Sequence, residues 1–323
     1  MNSSAAANST NRCDHPTYEL SPRLYLVAEV LFIPQTIATA LLNLALLFTF
    51  AVSPQLQQPQ HYYFLNLAIC DTVIGTVVLP SILTYQLAGC WPIPQLFCRF
   101  YKICAWVITG EAATTMMLIG YNRYEMISHG AQYAHNSRKT RIKLAISWII
   151  NLLIYVPPAF MDLWTGVQLS GNGRCRVEFF QAFHLWFVYL ILNTVIPPAV
   201  VFLIYVGVYL AMKNRSTTTS ARCDIELTDG QANASGKREN AMRTQTRAML
   251  LVTAAFLITT CPVGIFGLIS LSNINELYTF ALFFQYLNSL LNTIIYTSKV
   301  PAVRNSLLKM FGITSPPRRA TLP

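Results

Sequence analysis

Ile119-Gly120-Tyr121-Asn122-Arg123-Tyr124-Glu125 closes a long, mostly apolar run that begins near Cys98. Cys98 lies 25 residues upstream of Arg123. At the helical rise per residue, one helix between them spans roughly 37 Å, the depth of a bilayer with part of its headgroup zones. Such a helix sets a cysteine at one membrane face and an arginine at the other. The totals agree. The 323 residues are 54% hydrophobic and only 11% charged, where a soluble protein carries about 25% charged residues. With a mean hydropathy of +0.42, this is the composition of a polytopic membrane protein. The start of the chain shows no cleavable leader pattern, and its first apolar run is expected to act as its own insertion signal.

Working outward, the pattern predicts seven apolar spans. They are Leu24–Val52 with Pro34 and Asn43, His61–Ala88 with Asn66 and Asp71, Leu96–Met126, Ile142–Trp164 with Trp148 and Pro157-Pro158, Ala182–Met212 with Pro197-Pro198, Thr246–Leu271 with Pro262, and Leu277–Lys299. Segments of this length fit helices, and the alternating ten-residue strands of a barrel do not occur. The expected fold is all-α, a seven-transmembrane helix bundle. Residues 1–23 read as a polar N-terminal tail with two glycosylation sequons, at Asn2 and Asn8. Residues 24–299 form the transmembrane domain, in which 213–245 is a polar, Ser- and Thr-rich loop. Residues 300–323 begin with Val303, Leu307, Leu308 and Phe311 interleaved with Arg304 and Lys309, the spacing of a short amphipathic helix on the membrane surface, and end in a polar tail.

The net charge of +10 raises a nucleic-acid binder as an alternative. With the N-terminus outside, however, 17 of the 23 basic residues fall in inner segments. The positive-inside rule then predicts an extracellular N-terminus and a cytoplasmic C-terminus in the plasma membrane, and it accounts for the charge without nucleic acid. Catalysis has little support. There is no Ser-His-Asp order, Gly-rich phosphate loop or metal-ligand spacing, and His15, His61, His129, His135 and His184 do not converge. Cys13, Cys90, Cys98 and Cys175 fall on the oxidising side, where disulfides persist, and their spacing leaves three pairings open. Two acids, Asp71 and Glu111, lie within spans, where an ionised group is expensive. Asn43, Asn66, Asn288, Ser289 and Asn292 are their expected neighbours.

Over residues 24–312 the chain resembles the class A (rhodopsin-like) G-protein-coupled receptors. The residues that carry the resemblance are Asn43, Leu67-Ala68-Ile69-Cys70-Asp71, Cys98, Asn122-Arg123-Tyr124, Trp148, Cys175, Pro197 with Tyr205, Phe256, Pro262, and Asn292-Thr293-Ile294-Ile295-Tyr296, each on the matching span. The resemblance implies a receptor that binds an extracellular ligand and activates a heterotrimeric G protein, with arrestin as a further partner and the lipid bilayer around it. It implies a Cys98–Cys175 disulfide; Cys13 and Cys90 are then either a second pair or free thiols. Arg123 would meet the G protein once span six swings outward, supported by Tyr205 and Tyr296. Asn122, Tyr124, Phe256, Pro262 and Asn292 complete the switch. Asp71, Asn288, Ser289 and Asn292 resemble a sodium pocket, although Ala112 stands where a serine is common; no other cofactor is implied. Departures mark the branch. Asn122 replaces an aspartate, Thr260 replaces a tryptophan, and Asn292-Thr293-Ile294-Ile295-Tyr296 lacks a proline. The first and last of these are similar to melatonin receptors and related invertebrate orphan receptors. Asn193, by contrast, replaces the melatonin-pocket histidine. With Asn122 beside Arg123, and Met242 where many relatives carry a span-six acid, high basal signalling is expected; Glu125 is the alternative acid partner.

The ligand pocket candidates are Tyr85, Tyr101, Ala105, Thr109, Glu111, Tyr189, Asn193, Thr260, Tyr278 and Tyr286. Ala105 matches the position of the amine-pairing aspartate, which disfavours a cationic amine unless Glu111 supplies the acid. The set is aromatic and neutral, suited to a small, largely neutral ligand. Two competing readings are a receptor-fold protein that no longer signals, and a transporter. The transporter is disfavoured by seven spans without internal repeat.

Overall fold

The computed structural model describes residues 22–88, 91–129, 137–160, 170–171, 174–175, 187–188, 191–220, 250–265 and 275–313. Eight helices follow in chain order. α1 is Pro22–Val52, α2 Tyr62–Ala88, α3 Gln95–His129 and α4 Ser137–Tyr155. α5 is Ile196–Ser220, α6 Leu250–Ile265, α7 Asn275–Lys299 and α8 Pro301–Met310. A two-residue antiparallel hairpin pairs Ser170 with Cys175 and Gly171 with Arg174. The bundle is all-helical apart from that hairpin among the described residues. By length and composition, five of the described helices can cross a membrane; α6 is a shorter apolar helix. Each of the seven expected spans falls on one of α1–α7.

Helix ends differ from the expected spans for local reasons. α3 runs past Met126 through His129, the last described residue of that stretch. α4 is already helical at Ser137, the first described residue there and five residues before Ile142; Arg138, Lys139, Arg141 and Lys143 are good helix formers despite their charge. α4 ends at Tyr155 rather than Trp164. Pro157 and Pro158 each lack an N–H, and the chain tightens into a 3₁₀ turn, Pro157–Phe160. Prolines also explain two wide turns. Ile74–Val78 precedes Pro80, and Ile191–Val195 precedes Pro197-Pro198. In each, the π-type turn moves aside the carbonyl that the proline ring would strike. Pro34, by contrast, is carried inside α1.

α3 is the axle of the bundle and packs against α2, α4 and α5. The core is layered around it by Leu67, Val78, Met116, Ile119, Val201 and Phe256. Large apolar side chains point outward from the other helices, as at Leu153 (70% exposed), Leu203 (67%) and Ile258 (71%). That is the surface expected against lipid rather than water. α8 enters through Val300 and Pro301, buries Val303 and Ser306, and is followed two residues after Met310 by Gly312 with φ +70°. Phe311, expected on the apolar face with Val303, is 62% exposed.

Close helix approach depends on small residues. At Gly75 a Cβ would lie 2.6 Å from the Ala40 backbone nitrogen and 2.8 Å from its Cα, so α1 and α2 touch backbone to backbone. Gly120 admits Ile204 and Tyr205 of α5, and Gly207 faces the Tyr124 ring. Gly75→Ala is therefore expected to destabilise the protein by about 1–3 kcal/mol, the usual cost of forced overpacking, read as a lowered thermal midpoint in detergent or nanodiscs.

Candidate functional site

Arg123 lies near the end of α3 that also carries the start of α4. Its side chain is only 2% exposed despite its charge. One N–H of the guanidinium donates toward Met126 Sδ at 3.2 Å, and Asn122 Nδ2 lies 4.0 Å from the same sulfur. Tyr205 of α5 is within electrostatic reach of Arg123 and within hydrogen-bond reach of Thr253 on α6. Tyr296 of α7 is buried with its ring against Phe64 of α2, centroids 4.6 Å apart, and feels both Tyr205 and Asp71. Arg123, Tyr205 and Tyr296 thus gather in one region from three helices. Tyr124 does not join them; it packs toward Gly207 and is 39% exposed. Phe256 is buried one layer deeper, and Pro262 is half-buried on α6. Glu125 is not an acid partner placed for Arg123. Residues two apart on a helix do not face each other, and Glu125 Oε2 is paired with Lys143 Nζ of α4 at 2.8 Å. The same ammonium lies 4.6 Å from the Tyr121 ring centroid.

At mid-depth the polar residues separate into two clusters. In the first, Asn292 Nδ2 donates to Asp71 Oδ2 at 3.3 Å, and Ser289 is within hydrogen-bond reach of Asp71. Asn43 Nδ2 donates to the Ser289 carbonyl at 3.4 Å, and the Thr293 hydroxyl donates to Asn43 Oδ1. α1, α2 and α7 are joined there. Asn288 is buried beside them. Thr293 went unread as a site residue. It occupies the position where a proline would bend α7, and supplies instead a hydroxyl that ties α7 to α1. Its signal was a polar residue directly after Asn292 inside an apolar helix.

The second cluster corrects one expectation and agrees with another. Glu111 does not line the cavity of the pocket candidates, while Asn66, expected beside the two acids, bonds Glu111. Glu111 is fully buried toward α2 and α4, where it accepts from Asn66 Nδ2 at 2.8 Å, Asn151 Nδ2 at 3.0 Å, Ser147 Oγ at 2.8 Å and Thr115 Oγ1 at 3.4 Å. Asn66 Oδ1 in turn accepts from Trp148 Nε1 at 2.9 Å. Glu111 precedes Ala112 by one residue, and that single step of about 100° around the helix turns it from the bundle axis to the α4 side.

Of the pocket candidates, Thr109, Asn193, Thr260 and Tyr286 line one small cavity of about 20 Å³ together with Ala112, Phe256 and Asn288. That volume suits a water-sized occupant. Ala105 is buried, Tyr85 is half-buried, and Tyr101 packs on Trp91 with centroids 5.5 Å apart. None of these three lines the cavity. Tyr189 and the Tyr278 side chain lie outside the described residues, as do Asn2, Asn8, Cys13 and Cys90. A larger cavity, about 680 Å³, lies elsewhere, between Val52–Gln55 and α8. Lys102 was also unread: it is 4% exposed, one turn from Ala105. The Cys98–Cys175 disulfide is present and fastens the start of α3 to the hairpin.

Three comparisons bear on this geometry. The 7 transmembrane receptor (rhodopsin family) description matches residues 42–296. The chain is 25% identical over 209 residues to muscarinic acetylcholine receptor M5 of Rattus norvegicus, covering 64% of this chain and 39% of that receptor. It is 24% identical over 189 residues to muscarinic acetylcholine receptor M1 of Homo sapiens, covering 58% and 41%. The chain thus spans about two-fifths of the length of the curated relatives it matches. Squid rhodopsin superposes with a TM-score of 0.76 at 17% identity, over 91% of this chain and 87% of that one.

The Asn66–Trp148 bond yields a prediction. Trp148→Phe leaves Asn66 Oδ1 without its indole donor at a buried position, an expected loss of about 1–3 kcal/mol. In a thermal-unfolding cycle, Trp148→Phe added to Asn66→Leu should cost much less than Trp148→Phe alone.

Proposed function

The chain belongs to the rhodopsin family of seven-transmembrane receptors, and on that premise we propose that it couples an extracellular ligand to a heterotrimeric G protein. The observation that carries this reading is the buried Arg123, with Tyr205 and Tyr296 drawn in from α5 and α7. In this reading the Arg123 end is cytoplasmic, as the bias of basic residues supports. The residues before Leu24 are extracellular, and arrestin shares the same face. Outward movement of α6 separates Thr253 from Tyr205, opens the space over Arg123, and offers the guanidinium to a Gα segment. A guanidinium suits that role because it stays charged and presents several donors at once.

The ligand we propose is small and carries no positive charge. The muscarinic relatives are named for acetylcholine, a cation, but at 23–25% identity over part of the chain the name does not transfer. Ala105 offers no acid and Glu111 is committed to α2 and α4, so neither supplies a carboxylate to pair with a cation. Asn122 and the proline-free Asn292–Tyr296 stretch favour placing the chain beside the melatonin-receptor-like branch. A sodium ion is a further proposal. Asp71 Oδ1, Asn288 Oδ1 and Asn292 Oδ1 are buried oxygens without a protein hydrogen bond, a donor set that a hard cation accepts. Ala112 contributes no oxygen. Bound there, the ion would supply positive charge against Asp71.

Purified protein in nanodiscs should accelerate nucleotide exchange on at least one Gα class, and Arg123→Ala should return exchange to the receptor-free rate. Exchange on no Gα class, with or without a ligand library, would leave a receptor fold that does not signal. Basal exchange carries a second expectation. Asn122→Asp adds a Coulomb partner beside Arg123 and should lower the basal rate, roughly tenfold if the new pair contributes about 1.4 kcal/mol to the resting state; an unchanged rate contradicts it.

A further inference from the structure

Four neutral polar side chains, Asn66, Thr115, Ser147 and Asn151, lie within hydrogen-bond distance of the Glu111 carboxyl, and the placement of hydrogens among them decides its charge. Two amide orientations are fixed by their other partners. Trp148 Nε1 can only donate, so the atom of Asn66 that meets it is Oδ1 and the atom facing Glu111 is Nδ2. Asn151 Nδ2 lies 2.9 Å from the Ser147 carbonyl, which can only accept, so its amide nitrogen also faces Glu111. Each carboxyl oxygen therefore accepts one amide N–H.

Ser147 is the group that discriminates. Its hydroxyl oxygen is 2.8 Å from Glu111 Oε1 and also 2.8 Å from the Leu144 carbonyl. A hydroxyl has one proton. With Leu144 accepting it, the short contact to Glu111 needs a second proton, and that proton belongs on the carboxyl. The carboxyl O–H of Glu111 then donates to Ser147 Oγ, and the Ser147 proton goes to the Leu144 carbonyl. Asn66 still donates to Oε1 and Asn151 to Oε2.

The surroundings favour the same state. Glu111 is fully buried within the bilayer-spanning part of α3, where an ion carries a large desolvation penalty. The groups that face it are Asn66 and the Cys70 thiol from α2, Thr115 from α3, and Ser147 and Asn151 from α4; Tyr155 packs against Gly110 next to it. None of these is a cation. Lys143, the basic residue nearest to Ser147 along α4, is paired with Glu125.

We infer that Glu111 is a proton-binding site: a neutral carboxylic acid that donates to Ser147 and fastens α3 to α2 and α4 without burying a charge. It acts as a positioning residue, holding the axle helix in place on the side away from α5 and α6. The inference rests on the membrane-spanning fold and not on G-protein coupling, so a receptor that fails the exchange assay leaves it standing.

Infrared spectroscopy of the nanodisc-embedded protein at neutral pH tests it. Carboxyl-labelled ¹³C-glutamate moves glutamate bands and leaves those of Asp71 unmoved. The expected result is a carboxylic-acid C=O band that shifts with the label, persists in Asp71→Asn, disappears in Glu111→Gln and changes frequency in Ser147→Ala. If Glu111→Gln does not fold, the labelled wild-type protein and Ser147→Ala still report. A glutamate spectrum holding only carboxylate bands overturns the inference, as does an acid band indifferent to both Glu111→Gln and Ser147→Ala.

Discussion

A polar atom inside hydrocarbon must find its partner within the protein, and this one constraint orders the bundle. The chain keeps few polar residues within its spans and uses them in pairs across helix boundaries. Asn43 meets Thr293, Asp71 meets Asn292, and Asn66 meets Trp148. Each bond fixes a register that apolar packing alone would leave free to slide, because lipid is as apolar as the helix faces. Glycines then set how close the registered helices come, most sharply where Gly75 meets Ala40.

These bonds are not evenly spread. α2, α3 and α4 are welded through Glu111, Asn66, Ser147, Asn151 and Trp148, and α1, α2 and α7 through Asn43, Asp71, Asn292 and Thr293. On the opposite side, α3 meets α5 and α6 through Gly120, Tyr205 and Thr253, around a cavity lined by Thr109, Asn193 and Thr260. Arg123, with Met126 Sδ at 3.2 Å, sits at the end of that side of α3.

The fold was legible because bilayer thickness writes itself into sequence as length. The distance from Cys98 to Arg123 and the lengths of the apolar runs marked the spans before any contact was known. Helix ends were less legible. The stretch Arg138–Lys143 is helical although charged, and the Pro157-Pro158 pair ends α4 early. Asp71 and Arg123 could be read because burying a charge is rare enough to draw notice. Glu111 drew the same notice, but its direction was misread: one residue's rotation around α3 decides between pocket and α4, and depth along the helix cannot resolve it. Thr293 and Lys102 were missed because a threonine or a lysine near an apolar stretch is unremarkable until its burial is known.

The central claim is that Arg123 is a switch uncovered by movement of α6. Double electron–electron resonance between spin labels at Arg141 and Leu250, both exposed on their helices, measures that movement directly. Addition of a nucleotide-free Gα subunit to which the receptor couples should populate a longer distance between α4 and α6, and Arg123→Ala should abolish the shift. A distance distribution that stays the same in the presence of bound Gα would contradict the account.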